Sequence, residues 1–217
     1  MEMDGDKLIT GLIQYVTLVV MLTFHEFGHA WMASKCGDDT AKDDGRVSLN
    51  PLVHIDPIGT VLMPLLMIFL PSGLGSFLLG WAKPVPVNPN NLRNPKVDDI
   101  LITLAGPWMN LILAVVFVGG MKIGVMTGAG GMVEFCVGAA FLNLALFFFN
   151  LLPIPPLDGS RIMRVVVGMS HETFSQFAQY GLMILIVVIN FTPVPGYLGM
   201  LTASTLKVIS GLFGIAW

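Results

Sequence analysis

The sequence predicts an all-α polytopic membrane protein with about five to six transmembrane segments. Of its 217 residues, 54% are hydrophobic and only 12% are charged, whereas about 25% of the residues in a soluble domain are charged. The mean hydropathy is +0.78. The apolar residues are gathered into runs of about 20, the length that crosses a bilayer as a helix. The net charge of −3 gives no indication of nucleic-acid binding, and the expected surroundings are the lipid bilayer.

Six apolar runs are the candidate spans. Four of them are long and uninterrupted, and they cover residues 8–34, 99–121, 132–151 and 176–193. A shorter run at 57–71 is broken by Pro64, and a last run at 198–216 is rich in Gly and Thr. The first run follows the acidic stretch MEMDGDK and has no small-residue cleavage site after it. We therefore expect it to stay in the membrane rather than to act as a cleaved signal peptide.

The segment at 80–89, GWAKPVPVNP, differs from the runs around it. Val85 and Val87 alternate with prolines, and proline removes the backbone donor that a helix or a central strand needs. This pattern predicts a short extended or re-entrant segment, an edge strand or loop, near residues 80–89. Together with a preceding hairpin it would cover residues 57–97. Extended backbone at membrane depth is tolerated only where it lines a cavity or packs on protein.

The basic residues predict the orientation of the chain. If the first span runs inward and 57–80 form a hairpin, eight of the eleven Lys and Arg residues fall on one side. They are Lys35, Lys42, Arg46, Lys83, Arg93, Lys96, Arg161 and Arg164. The positive-inside rule places this side in the cytoplasm. We expect a multi-pass cell-membrane protein whose N-terminus lies outside.

Three ionisable residues lie inside the first span, in the stretch VVMLTFHEFGHAW at 19–31. Each such group in hydrocarbon costs roughly 2.5–3.5 kcal/mol, so the span has to gain something from them. On a helix, His25 and His29 lie on one face, one turn apart, and two imidazoles placed in this way can bind one Zn²⁺. Glu26 follows the first histidine and is placed to take a proton from water at the metal. This is the arrangement of a metalloprotease helix.

A catalytic zinc takes three protein ligands and keeps one open position, so a third ligand is expected elsewhere. The candidates in apolar surroundings are His54, Asp56, Glu134 and Asp158. We favour Asp158, because it ends the stretch NLLPIPPLDG, where prolines break the helix, and broken helices at membrane depth commonly build sites. The same aspartate would also suit an N-cap. His54 and Asp56 are left open as a partner of the site, an alternative ligand or an interfacial cap.

Several motifs together resemble the site-2 protease family of intramembrane zinc metalloproteases, in its short microbial form without PDZ or CBS domains. They are HEFGH at 25–29, GWAKPVPVNP at 80–89, AGPWMN at 105–110 and NLLPIPPLDG at 150–159. The resemblance implies one Zn²⁺ per chain, held by His25, His29 and Asp158, with Glu26 as the general base. It also implies that Asn150 holds the substrate or polarises its carbonyl. Two further asparagines within spans, Asn110 and Asn143, are expected to be structural.

The predicted reaction is hydrolysis of peptide bonds in or near the transmembrane segments of membrane-protein substrates, as in regulated intramembrane proteolysis. One domain would cover residues 1–217. Its catalytic spans would be 8–34, 99–121 and 132–158, and its C-terminal helices would lie at 176–216. Val85 and Val87 would bind an extended substrate by strand addition, and the site would be reached from the cytoplasmic side. The alternative is a transporter of zinc or another metal ion that uses the same His and Asp residues. The sequence does not indicate an oligomeric state.

Overall fold

The computed structural model describes residues 5–69 and 80–215, and this part of the chain is helical, without strands. The all-α class is therefore confirmed. The α-helices are α1 (Gly5–Lys35), α2 (Thr40–Asp43), α3 (Met63–Phe69), α4 (Pro95–Thr127), α5 (Gly130–Asn150), α6 (Asp158–Val167), α7 (His171–Ala178), α8 (Gly181–Phe191) and α9 (Val194–Leu212). Two single 3₁₀ turns, Pro51–Val53 and Pro89–Asn91, and one π-helical stretch, Pro57–Leu62, lie between them.

Fewer helices suit a membrane span than the five to six that the sequence predicts. By length and composition three qualify within the described residues, and they are Leu8–Lys35, Pro95–Thr127 and Gly130–Asn150. A fourth is obtained if α7 and α8, which meet at 53°, are one broken span. The expected span at 57–71 is only a short apolar helix over Pro57–Leu66, and residues 70–71 lie outside the described part. The expected span at 198–216 corresponds to α9, whose Thr, Ser and Gly residues and Lys207 dilute its apolar character; residue 216 is again outside the description.

Helix α4 is the central element, since α1, α5, α6 and α9 all contact it. The helices approach closely at small residues. A Cβ atom on Gly28 of α1 would lie 2.7 Å from the Ala105 carbonyl oxygen of α4, and one on Gly120 of α4 would lie 3.0 Å from the Cys136 sulfur of α5. Helix α4 ends at Thr127 and is capped by Gly128, which adopts a left-handed conformation with φ 71° that glycine accepts without a steric penalty.

Helix α1 separates its residues by face. Its exposed large aliphatic side chains follow helical spacing and are Ile9, Leu12, Ile13, Val16 and Val20. Leu18, Met21 and Leu22 are buried on the other side, together with both histidines of the HEFGH motif. A helix that turns its aliphatic side chains outward and its ionisable ones inward matches a lipid-facing element of a membrane protein.

The segment at 80–88 has no regular secondary structure, so the loop half of the prediction is the correct one. Its first residues are nevertheless hydrogen-bonded to the backbone of residues 54–59. The Trp81 amide donates to the Gly59 carbonyl at 3.2 Å, and the Lys83 amide donates to the His54 carbonyl at 2.8 Å. The prolines at 84 and 86 explain why no strand ladder continues, because they have no N–H to donate.

Candidate active site

Two imidazoles of α1 meet at their Nε2 atoms inside the protein. His25 and His29 are 5% and 6% exposed, and their Nε2 atoms lie 3.0 Å apart. The i, i+4 spacing explains this, because residues one turn apart stand above one another on the same helical face. The structure therefore brings both rings to one place, as their spacing predicts.

Asp158 joins the imidazoles from the far end of the chain. Its Oδ2 atom lies 3.1 Å from His25 Nε2 and 3.4 Å from His29 Nε2. The residue opens α6 after the proline-rich turn, whose shape requires a glycine at the next position. A Cβ atom on Gly159 would lie 2.2 Å from the Leu151 carbonyl oxygen. His25, His29 and Asp158 form a group of potential metal ligands, the three that the sequence analysis selected.

The hydrogen bonds of the two imidazoles show which of their nitrogen atoms face Asp158. His25 Nδ1 lies 2.6 Å from the Asn110 side-chain oxygen, and His29 Nδ1 lies 2.7 Å from the Ile102 carbonyl oxygen. Both partners only accept, so each neutral ring carries its proton on Nδ1 and a lone pair on Nε2. The buried Oδ2 of Asp158 has no hydrogen-bond partner among the described residues. With both rings neutral, two imidazole nitrogens and one carboxylate oxygen converge on one point, and each offers a lone pair that can bind a cation.

The distances within this group match a tetrahedral zinc site. A metal–ligand bond of about 2.0–2.1 Å and the tetrahedral angle place neighbouring ligand atoms about 3.3 Å apart. The three observed separations are 3.0, 3.1 and 3.4 Å. Two imidazole nitrogens and one carboxylate oxygen are a common donor set for catalytic zinc, and they leave one corner of the tetrahedron open. The residues present therefore fit Zn²⁺.

Helix α4 holds both imidazoles in place. Asn110 accepts from His25 and donates its amide to the Asn143 side-chain oxygen at 3.3 Å, and Asn143 donates to the Ala139 carbonyl at 2.9 Å. This relay fixes which way the Asn110 amide points. Partners of this kind orient metal-binding histidines and tune their affinity. The sequence analysis treated Asn110 only as structural; its spacing of eight residues from Ile102, two turns along α4, was the signal that both face α1.

Gly106 explains another part of the AGPWMN motif. A Cβ atom built there would lie 2.3 Å from His29 Nε2 and 2.7 Å from His25 Nε2. Only glycine leaves room for the imidazoles at this point of α4. Pro107 follows and removes the backbone donor for the Thr103 carbonyl, so the hydrogen-bond ladder of the helix is interrupted beside the site.

An ion cluster joins α6, which carries Asp158, to the same helix. Asp99 of α4 is buried, and its two carboxylate oxygens bind different arginines of α6, Arg164 at 2.5 Å and Arg161 at 3.3 Å. Arg164 is itself buried. Removing one partner of a buried ion pair costs about 3–5 kcal/mol, so this cluster fixes the position of α6 against α4.

The other predicted residues lie outside this ligand group. Glu26 is 9% exposed and follows His25 on α1. Asn150 ends α5 and donates to the Leu146 carbonyl at 3.0 Å, so its contact with a substrate stays a prediction. Val85 and Val87 are half-buried in the irregular segment, and their role also stays a prediction.

The alternative third ligands have other positions. His54 is buried and donates from Nε2 to the Ser48 carbonyl at 2.8 Å. Asp56 caps Pro57–Leu62, where its Oδ1 accepts from two backbone amides, as expected for the cap alternative. Glu134 is exposed on α5.

A bundle of apolar helices, in which a buried HExxH pair meets an aspartate from a distant part of the chain, defines a membrane-embedded metallopeptidase. The chain belongs to Peptidase family M50, whose model matches residues 13–128 and 120–192. The resemblance to the site-2 protease family that the motifs indicated is thereby confirmed.

Three relatives illustrate the membership. YwhC of Bacillus subtilis is 40% identical over 91% of this chain and 91% of its own length. Rip2 of Mycolicibacterium smegmatis is 31% identical over 79% of this chain and 64% of its own length. Both are provisionally named zinc metalloproteases. Zinc metalloprotease MJ0392 of Methanocaldococcus jannaschii is 22% identical over 93% of this chain and 47% of its own length. No solved structure matches the chain.

Proposed function

We propose that the protein is an intramembrane zinc metalloprotease that hydrolyses peptide bonds in or near the transmembrane segments of membrane-protein substrates. The observation that carries this proposal is the convergence of His25, His29 and Asp158 at the spacing of a tetrahedral zinc site. The two histidines lie on a helix that is long and apolar enough to cross the membrane. A site built into such a helix is suited to a substrate that is itself in the bilayer.

Each residue of the site has a defined task. Zn²⁺ held by His25, His29 and Asp158, one ion per chain, would supply a Lewis acid that polarises the scissile carbonyl and acidifies water. Glu26 takes the proton of the attacking water and passes it to the leaving amine. Asn150 donates its side-chain amide to the carbonyl oxygen as negative charge develops there. For this it exchanges its bond to the Leu146 carbonyl for one to the substrate.

The substrate binds in extended form along Val85 and Val87. A helical peptide bond is shielded, so the substrate has to unwind before hydrolysis. Within residues 5–69 and 80–215, neither the amide nor the carbonyl of Val85 or Val87 has a backbone partner. A substrate added as a strand would form hydrogen bonds with these backbone groups. The same bonds would satisfy the backbone groups that the substrate exposes when it unwinds.

The site opens towards the cytoplasm, in keeping with the distribution of Lys and Arg. The polar loop at 36–46 lies at the end of α1, within two turns of His29, and offers water a path. Cleavage from this side would release the cytoplasmic part of a membrane protein, the outcome that regulated intramembrane proteolysis requires.

The test is cleavage of a model transmembrane substrate by purified protein. The comparison includes wild type, Glu26→Gln and the matched control Glu134→Gln, which changes an exposed glutamate. Cleavage should stop with Glu26→Gln or with a zinc chelator, resume when Zn²⁺ is restored, and be unaffected by Glu134→Gln. Cleavage that survives Glu26→Gln contradicts the mechanism. Zinc uptake into liposomes without any cleavage would instead support the metal-transport alternative.

A further inference from the structure

The polar loop at 36–46 binds the segment that contains Val85 and Val87 at both of its ends, before Val85 and after Val87. Its two buried charged residues are Asp38 and Arg46, which are 0% and 4% exposed. They lie in a loop whose other charged residues are exposed. Buried charges in a surface loop are unusual, so their partners indicate what the loop does.

Arg46 binds the segment just before Val85. Its Nη2 donates to the Lys83 carbonyl and also approaches the Pro84 carbonyl at 3.4 Å. No carboxylate forms an ion pair with Arg46 within the described part of the chain. The buried guanidinium therefore donates to backbone carbonyl oxygens instead of forming an ion pair, and in this way it positions the backbone of residues 83–84.

Asp38 binds the segment just after Val87. Its carboxylate accepts from the Asn88 amide at 2.7 Å and from the Asn91 side chain at 2.9 Å. On the loop side it accepts from the amide and the hydroxyl of Thr40. Four donors saturate the carboxylate, so Asp38 joins the loop rigidly to residues 88–91.

Between these two attachments lie Val85, Pro86 and Val87, without backbone partners in the described ranges. Prolines at 84, 86 and 89 disfavour the helical conformation at Lys83, Val85 and Asn88. Asn88 is extended, with φ −99° and ψ 107°. The stretch is thus held open by its own sequence and fixed at each end by one buried charge of the loop.

We infer that Asp38 and Arg46 are positioning residues for substrate, because they hold Val85–Val87 as a ready-made edge for strand addition. This inference rests on the proposed function. A preformed edge lowers the ordering cost of binding, so loss of either attachment should weaken substrate binding and leave the metal site and the chemical step intact.

The cleavage test compares Asp38→Asn and Arg46→Met with two matched controls. Asp39→Asn and Lys42→Met remove the corresponding charges at neighbouring exposed residues, whose hydrogen bonds and ion pair are made within the loop and to Ser34. One hydrogen bond of this kind corresponds to about a tenfold change in an equilibrium. We expect KM to rise about tenfold in the two test variants, with kcat and zinc content at the wild-type values, and no change in the controls. Arg46→Lys, which keeps a donor, should recover part of the loss.

A second measurement needs no catalysis. Peptides covering residues 83–88 contain only four backbone N–H groups, at Lys83, Val85, Val87 and Asn88, and the first and last are already bonded. In Glu26→Gln protein, a short synthetic peptide with the cleavage-site sequence of the model substrate should slow hydrogen–deuterium exchange at this segment. The slowing should be lost when Asp38→Asn or Arg46→Met is added.

The outcomes separate this inference from the proposed function. If wild type does not cleave the substrate, the proposed function fails. If it cleaves but the two test variants behave like their controls in KM and exchange, only the inference is overturned. Loss of zinc or of kcat in the test variants would also overturn it, because the loop would then support the whole fold rather than the substrate edge.

Discussion

Substitution of Gly106 by alanine tests whether α4 sets the geometry of the metal site. The added Cβ would lie 2.3 Å from His29 Nε2, 2.6 Å from His29 Cε1 and 2.7 Å from His25 Nε2. Carbon and nitrogen in van der Waals contact stay about 3.5 Å apart, so the overlap with the nearest atom is about 1 Å. A buried overlap of this size costs about 1–3 kcal/mol.

The imidazoles cannot move away from the added Cβ without losing hydrogen bonds. Their Nδ1 atoms are bound to Asn110 and to the Ile102 carbonyl on the same helix, so either the rings give up these bonds or α4 moves away from α1. Metal sites tolerate about 0.2 Å in ligand distance, and both responses exceed this. We expect Zn²⁺ affinity to fall by about 100-fold or more, equivalent to about 2.7 kcal/mol.

The assay is metal content after dialysis, together with competition against a chelator of known affinity. The control is Gly119→Ala, which makes the same change on the same helix, where the new Cβ would meet only Phe213 at 3.7 Å. It should bind zinc as wild type does and gain slightly in helix stability. Wild-type zinc affinity in Gly106→Ala would refute the reasoning about α4.

Three further predictions concern the surroundings of the site. Arg164→Gln should lower zinc affinity and destabilise the fold by about 3–5 kcal/mol, because it leaves the buried Asp99 with one weaker partner. Arg164→Lys should restore part of the affinity and part of the stability. If Co²⁺ in place of zinc gives the same absorption spectrum in Arg164→Gln as in wild type, Arg164 does not help to position Asp158. Asn110→Leu should weaken zinc binding about 10–100-fold, the usual effect of losing such a partner, and chelator competition measures it. Burial acts to raise the pKa of Asp38, but hydrogen bonds from the Thr40 hydroxyl, the Asn91 amide and two backbone amides outweigh it and lower that pKa. A lowered folded-state pKa means that this stabilisation is complete above the unfolded value of about 3.9 and is lost as the pH falls through the folded value. The difference in melting temperature between wild type and Asp38→Asn should therefore be constant near neutral pH and shrink in acid below about pH 4; a difference that grows on acidification would contradict this assignment.

The three candidate ligands could be selected from the sequence because their signals are local. His25 and His29 follow helical spacing inside a span, and the prolines before Asp158 mark a broken helix. The three longest apolar runs also correspond to α1, α4 and α5, although α4 extends from Pro95 to Thr127, beyond the predicted limits. Spacing along one helix and runs of apolar residues are properties that a sequence displays directly.

The surroundings of the site were not predictable in the same way. Asn110 and Gly106 matter because α4 packs against α1 at one rotation, and periodicity does not specify which faces of two apolar helices meet. The role of Arg164 depends on α6 returning to α4 after the proline-rich turn. The number of spans was overestimated because some runs have mixed character, such as the one around Lys207. Such a run contains many apolar residues, but the helix that it forms is not apolar enough to be a candidate span.

Helix α4 contributes to the alignment of all three candidate ligands. The Ile102 carbonyl binds His29, the Asn110 side-chain amide binds His25, and the Asp99 carboxylate anchors the helix that begins with Asp158. One consequence is that the positions of the three side chains all depend on α4. A tilt or axial rotation of this helix displaces them together, so we expect all three metal–ligand bonds to be lost at once and not one after another. Bilayer thickness or composition that changes the inclination of α4 would then act on metal occupancy from a distance, without touching the coordinating side chains.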